Sequence, residues 1–330
     1  MPVIDVSPLV SGLGPLDSVA TEIDAACRDV GFFTIIGHGV DPALCDRLEQ
    51  AARDFFARPE GEKQEIAMAR GGRAWRGWFP LGGELTSGVP DRKEGIYFGA
   101  EEPGDSRPLH GPNLFPATPP ELRPLVLEFC EAMTRLGHAV MRGIARGLGL
   151  DAEWFAREIA GDPTILFRIF HYPPSPPDDD TTWGVAEHTD YGLLTILMQD
   201  ATGGLQVRGA NGWIDVAPVP NAFVCNIGDM LERMTGGKYR STPHRVRNST
   251  NRSRCSFPFF FDPAWDAHIR PIPNAAAPDP AIATERWDGT SVHDFVGTYG
   301  DYLVRKVTKV FPELASGVVP PDTESSTDRV

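Results

Sequence analysis

His188-Thr189-Asp190 sets two ligand-type side chains at positions i and i+2. In an extended segment both point to the same side of the chain, so both can reach one ion. A third ligand has to come from elsewhere. Of the other histidines, His244 is best placed, lying between Thr242-Pro243 and the strand-like Arg245-Val246-Arg247. Two imidazoles and one carboxylate leave one face of an octahedral ion open, which suits an Fe(II) that binds a co-substrate and O2 side by side. An isolated HxD pair is common as a core histidine with a turn aspartate, so the assignment needs a second signal.

That signal is Arg254-Cys255-Ser256, which begins ten residues after His244. A guanidinium and a hydroxyl at i and i+2 share one strand face, and such a fork with a hydroxyl is what the distal carboxylate of 2-oxoglutarate requires. An apolar run, Phe257 to Phe261, follows, and a charge set in such a run needs a partner. In Arg168-Ile169-Phe170-His171-Tyr172, the first, third and fifth residues share a face. If Tyr172 faces the pocket, its hydroxyl can donate to the co-substrate and Arg168 enters the same cavity; otherwise Tyr172 closes the strand before Pro173. Phe260 has the parity of Arg254 and Ser256, so it lines either the pocket or the core. Residues 73–98 are the expected lid, with Arg76, Trp78, Glu84, Thr86, Asp91 and Lys93 as candidate substrate contacts, each set against an internal ion pair or a packed indole. His38, Asn226 and Asp229 are read as turn residues.

The elements that must position these side chains follow from periodicity. Helices are expected at residues 16–30, 42–56 (capped by Asp41), 120–148 (bent near Pro124), 151–159 (capped by Asp151) and 292–310. Strands are expected at 3–6 and 32–36. After Gly161 come short apolar runs at 164–172, 193–198, 205–208, 213–216, 222–227, 244–247 and 254–261, punctuated by Gly, Asn and Pro, and a polar proline-rich loop at 173–182. That pattern is the mark of a double-sheet jelly roll. The expected fold is mainly β with flanking helices around a double-stranded β-helix (jelly roll, cupin-like) core. Residues 1–312 are expected to form one domain. It divides into a mostly helical part (1–160) with lid loops at about 71–116, the jelly-roll core (161–263), and a C-terminal segment with its helix (264–312). A disordered tail is expected at 313–330.

A net charge of −14 with no basic stripe argues against nucleic-acid or anionic-membrane partners. The five cysteines include no CxxC pair, which excludes a disulfide framework or zinc-ribbon reading. No signal-peptide pattern opens the sequence, and no apolar run nears the roughly 20 residues that span a bilayer. A cytoplasmic location is expected.

His188-Thr189-Asp190-Tyr191-Gly192-Leu193-Leu194-Thr195, Gly203-Gly204-Leu205-Gln206-Val207, Asn226-Ile227-Gly228-Asp229, Ser241-Thr242-Pro243-His244-Arg245-Val246 and Arg254-Cys255-Ser256 occur in that order. Upstream stand Gly31-Phe32-Phe33 with Gly37-His38-Gly39, and His171-Tyr172-Pro173-Pro174. Together they resemble the isopenicillin N synthase-like family of Fe(II)/2-oxoglutarate dioxygenases, over about residues 3–263. The resemblance implies a double-stranded β-helix core, iron at His188, Asp190 and His244, and 2-oxoglutarate held by Arg254, Ser256 and Tyr172. Phe170 departs from the asparagine that many members carry there, so one co-substrate hydrogen bond is lost or supplied by water. The implied reaction uses Fe(II), 2-oxoglutarate and O2 to hydroxylate or otherwise oxidise a small molecule, releasing succinate and CO2. Asp190 in the third ligand position favours hydroxylation or desaturation over halogenation. Three alternatives stay open: an iron oxidase of the same fold that consumes no 2-oxoglutarate, a non-catalytic small-molecule-binding relative, and a cupin-like zinc hydrolase.

Overall fold

The computed structural model describes residues 1–86, 88–175, 183–277 and 292–311. The tail at 313–330 and residues 176–182 of the expected polar loop lie outside them. The strands are β1 (Val3–Asp5), β2 (Phe32–Ile36), β3 (Gly77–Phe79), β4 (Leu85–Thr86), β5 (Val89–Pro90), β6 (Glu94–Gly99), β7 (Thr164–Tyr172), β8 (Val185–His188), β9 (Leu194–Gln199), β10 (Leu205–Gly209), β11 (Gly212–Asp215), β12 (Phe223–Ile227), β13 (His244–Val246) and β14 (Arg254–Asp262). They form an eight-stranded sheet ordered β1-β2-β12-β9-β14-β7-β6-β3, a four-stranded sheet ordered β11-β10-β13-β8, and the β4–β5 hairpin. Pairing is antiparallel except between β1 and β2. A cavity lined by residues of both larger sheets lies in this jelly roll.

Alternation in β14 separates core from cavity. Cys255, Phe257, Phe259 and Phe261 are fully buried on the face beneath the long Leu122–Gly147 helix, which meets the sheet through Phe129 against Phe167 and His138 against Phe261. The even residues Arg254, Ser256, Pro258 and Phe260 face the cavity. Each buried phenylalanine contributes about 2–3 kcal/mol. A one-residue slip would therefore cost several such terms while burying Arg254 in the core, which fixes the register.

Several expected elements shift, each for a local reason. The 71–116 stretch expected as lid loops supplies β3 and β6 to the large sheet. Asp91-Arg92-Lys93-Glu94 hid β6, since charges in a row read as a solvated turn, whereas Lys93 and Glu94 are buried with partners. Pro124 falls in the first turn of its helix, where a missing N–H breaks no intrahelical bond, so it supplies no cause for a bend. The short helix expected from Asp151 runs Trp154–Glu158, and Asp151 accepts from the Glu153 N–H just ahead of it. The last helix is Tyr299–Val310, begun by a capping box of Thr298 and Asp301. His38 is a turn residue as expected: its Nδ1 accepts from the Val40 N–H and its ring stacks on Phe223. Among the described residues no helix is long and apolar enough to cross a membrane.

The Tyr299–Val310 helix docks through two phenols, Tyr299 donating to Asp262 and Tyr302 to Asp229. Burial pushes the Asp262 carboxyl up to about 7, helped by the Asp190 charge and opposed by the Tyr299 donor.

Two outcomes are expected. A Cβ at Gly137 would lie 2.3 Å from the enclosed Phe261 ring. Alanine gains up to about 1 kcal/mol in a helix, but overpacking costs about 1–3 kcal/mol. Gly137→Ala should therefore lower stability in urea unfolding, despite the helix propensity. Asp262 titrates higher folded than unfolded, so its contribution is present below the unfolded value of 3.8 and is lost as pH rises through about 7. Wild-type stability should fall relative to Asp262→Asn between about pH 4 and about pH 8, measured by urea unfolding across that range.

Candidate metal centre and the cavity around it

His188 ends β8 and His244 begins β13, and the two are direct partners across the pair. Each Nδ1 lies against the carbonyl two residues before it, His188 on Ala186 O at 2.8 Å and His244 on Thr242 O at 3.2 Å. A carbonyl only accepts, so each Nδ1 carries a proton, which leaves each Nε2 as the ring nitrogen turned to a metal. Asp190 follows in the turn after β8. Its Oδ2 accepts from Thr195 Oγ1 at 2.6 Å and from Asn226 Nδ2 at 2.7 Å. Its Oδ1 stands 3.9 Å from His188 Nε2 and 3.8 Å from His244 Nε2. One ligand atom from each of the three residues lies within 4.8 Å of the others.

The charge states suit a cation. Burial, and then the neighbouring His244 ring, push His188 down to about 3, so it is neutral with a free lone pair at neutral pH. Burial works to raise Asp190, but the two imidazoles and the Asn226 and Thr195 donors hold it below the usual carboxylate range. Two imidazoles and an ionised carboxylate, all pinned from behind, fit a divalent first-row metal.

Asn226 corrects the turn reading: it lies on β12, lines the cavity and orients Asp190. The available signal was strand parity, since the motif opens with a polar residue inside an apolar strand. Asp229 does hold backbone, donating its N–H to Asp190 O at 2.8 Å.

Arg254 is fully buried at the start of β14, opposite Tyr172 of β7. Its Nε donates to Gly203 O at 2.6 Å and its Nη2 to Gln199 Oε1 at 3.3 Å, while Nη1 has no partner among the described residues. The Tyr172 ring lies beneath the guanidinium, and the Tyr172 and Ser256 hydroxyls are 3.2 Å apart. A buried cation with an idle donor, beside two hydroxyls, fits the far carboxylate of a dicarboxylate. Phe170 places a ring on the same face, 4.8 Å from Lys93 Nζ.

The cavity has a volume of about 390 Å³ and gathers His188, Asp190, His244, Arg254, Ser256, Tyr172, Arg168 and Phe260. Of the lid candidates, Glu84, Thr86 and Lys93 line it as well. Lys93 Nζ sits 2.9 Å from Glu84 Oε2 and also bonds Asp91, which accepts from Thr86. Despite its burial, the two carboxylates push Lys93 up, so it stays charged.

Arg76 and Trp78 do not reach the cavity, which corrects their reading as substrate contacts. Arg76 gives its Nη1 and Nη2 donors to Ala100 O, Leu109 O, Gly111 O and Asn113 Oδ1, tying the segment between them to β3. Trp78 Nε1 donates to Glu94 Oε2, on which Lys63 also converges. Both are structural because buried donors take the nearest acceptors.

Residues 163–263 match the 2OG-Fe(II) oxygenase superfamily, and residues 1–118 match the model described as non-haem dioxygenase in morphine synthesis N-terminal. A probable iron/ascorbate oxidoreductase of Dictyostelium discoideum is 46% identical, covering 91% of each chain. A 1-aminocyclopropane-1-carboxylate oxidase of the same organism is 36% identical, covering 95% of each. Among solved structures, a full-length Neurospora crassa protein in complex with alpha-KG and thymine is similar with a TM-score of 0.78 and 29% identity, over 93% of this chain and 96% of that one. With identity of this level sustained along almost the whole of both chains, the protein belongs to the 2OG-Fe(II) oxygenase superfamily and is a 2-oxoglutarate-dependent oxidoreductase that uses Fe(II) and O2.

Proposed function

We propose that His188, Asp190 and His244 hold the Fe(II), that Arg254, Ser256 and Tyr172 hold 2-oxoglutarate by its far carboxylate, and that a small-molecule substrate is oxidised in the space bounded by Arg168 and Phe260. The protein acts in the cytoplasm, without nucleic-acid or membrane partners, and residues 1–312 work as one domain. The observation that carries the reading is the idle Nη1 of Arg254, a buried cationic donor in the same cavity as the three metal-type ligands. Fe(II) bound there couples decarboxylation of the keto acid, to succinate and CO2, to oxidation of the substrate by O2.

The chain's own groups prepare that chemistry. Ala186 O and Thr242 O hold each imidazole by Nδ1 and so aim each Nε2 at the place the metal would take. Asn226 and Thr195 hold one Asp190 oxygen and leave the other for the ion. Tyr172 and Ser256 offer hydroxyls beside Arg254.

The second reading, an oxidase of the same fold that consumes no 2-oxoglutarate, is the one to test against it, since the 36% identical relative from Dictyostelium discoideum is named an oxidase. Succinate release dependent on Fe(II), 2-oxoglutarate and O2 decides for the first. Its absence during product formation decides for the second.

Anaerobic addition of Fe(II) and 2-oxoglutarate should raise a visible chelate band. Asp190→Ala and His244→Ala should lose both that band and tight iron binding; full turnover in either variant would sink the ligand assignment. Arg254→Gln removes charge-assisted bonds of the kind worth about 1.5–3 kcal/mol, so half-saturation by 2-oxoglutarate should move up roughly 10- to 100-fold with the iron ligands intact. An unchanged titration would place the far carboxylate elsewhere.

A further inference from the structure

Arg168 sits on the cavity face of β7 with Phe170 and Tyr172. Its guanidinium carbon lies 4.1 Å from the Tyr97 ring centre and 4.8 Å from that of Phe260. Rings covering the guanidinium leave its N–H edge for an acceptor, and among the described residues nothing takes a hydrogen bond from it. Its Nε is buried without a partner, and its carboxylate contact, Nη1 to Glu84 Oε1, is 3.8 Å long. Glu84 is already committed, accepting from Tyr97 on Oε1 and pairing with Lys93 on Oε2. Lys93 thus absorbs the local carboxylates, and Arg168 is left charged, enclosed and short of acceptors. Such an arrangement costs several kcal/mol unless an anion completes it.

That anion is not the co-substrate's far carboxylate. Tyr172, which pairs with Arg254, lies four residues along β7 from Arg168, or about 13 Å at about 3.3 Å per residue. We propose that Arg168 anchors a carboxylate of the substrate, so that the enzyme oxidises a small monocarboxylic acid; this rests on the cavity being the Fe(II)/2-oxoglutarate site. A planar carboxylate takes two parallel N–H bonds from the guanidinium edge. A dianion such as phosphate would bring a second negative charge towards Glu84, whose Oε1 stands 3.8 Å from Arg168 Nη1. The rest of the substrate meets Leu85, Leu166, Leu197 and Val310, so its body is largely apolar, and about 390 Å³ shared with 2-oxoglutarate keeps it small. Lys306 and Lys309 of the last helix line the same cavity and raise the positive potential that draws acids in.

The test begins anaerobically with Fe(II) and saturating 2-oxoglutarate. Failure to form the chelate band would defeat the underlying reading, independently of Arg168. With the band formed, straight-chain acids from butanoate to octanoate, 3-phenylpropionate, and the primary amide of each are added as probes. Perturbation of the band and the rise in melting temperature are recorded. At least one acid should bind roughly tenfold or more tightly than its amide. Arg168→Gln should abolish that preference while keeping the chelate band, and Arg168→Lys should retain part of it. Equal binding of acids and amides by the wild type, binding of amides alone, no binding by any acid, or an undiminished preference in a folded Arg168→Gln variant would each overturn the proposal. The acid–amide comparison in the wild type decides the matter even if the variants do not fold.

Discussion

Strands β7 and β14 place successive side chains in two incompatible surroundings, and the rest of the molecule depends on that alternation. On one face Phe167, Phe257, Phe259 and Phe261 are sealed under the Leu122–Gly147 helix. On the other, Arg168, Tyr172, Arg254 and Ser256 meet the cavity. Neither set tolerates the other's place, since a phenylalanine in the cavity forfeits its burial and an arginine under the helix has no acceptor. Gly137, by leaving room for Phe261, lets the helix approach closely enough to seal the apolar face. Packing on that side thereby holds the polar face in place on the other.

Within the cavity the charged groups divide into satisfied and unsatisfied sets. The three metal-type ligands are fixed from behind by Ala186, Thr242, Asn226 and Thr195, so their free atoms converge on one point. Lys93 is consumed by Glu84 and Asp91. Among the described residues, Arg168 and Arg254 both keep donors without acceptors, at positions separated along the sheet. Low-dielectric surroundings make each unmade bond costly in the unliganded state and strong once an anion arrives. The cavity thus brings two guanidinium groups and a metal-type donor set into one space.

The elements that were legible in the sequence are those whose pattern is local. The 42–56 helix shows its Asp41 cap and first-turn proline, and β7 and the 32–36 strand show as bounded apolar runs; each stands at its expected limits. Elements whose residues find distant partners were misread. Lys93 and Glu94 look solvated until Glu84, Asp91 and Lys63 are brought to them by the fold, so β6 passed for loop. Arg76 and Trp78 look like lid contacts until Asn113 and Glu94 take their donors. Asn226 looks like a turn residue until Asp190 is folded against it from 36 positions away in the sequence.

The sharing of one face by His188 and Asp190, by Arg254 and Ser256, and by Tyr172 with Arg168 and Phe170 belongs to the part the sequence determined by itself. Spacing of two along an extended chain puts side chains on one face whatever the strand then packs against. Tertiary structure alone decided which oxygen of Asp190 is committed, and that Arg168 and Arg254 keep donors without acceptors among the described residues. Those outcomes turn on acceptors supplied by other strands and by the β4–β6 region. A hydrogen bond is settled by distances of a few tenths of an ångström between groups far apart in the chain, and no periodicity records them.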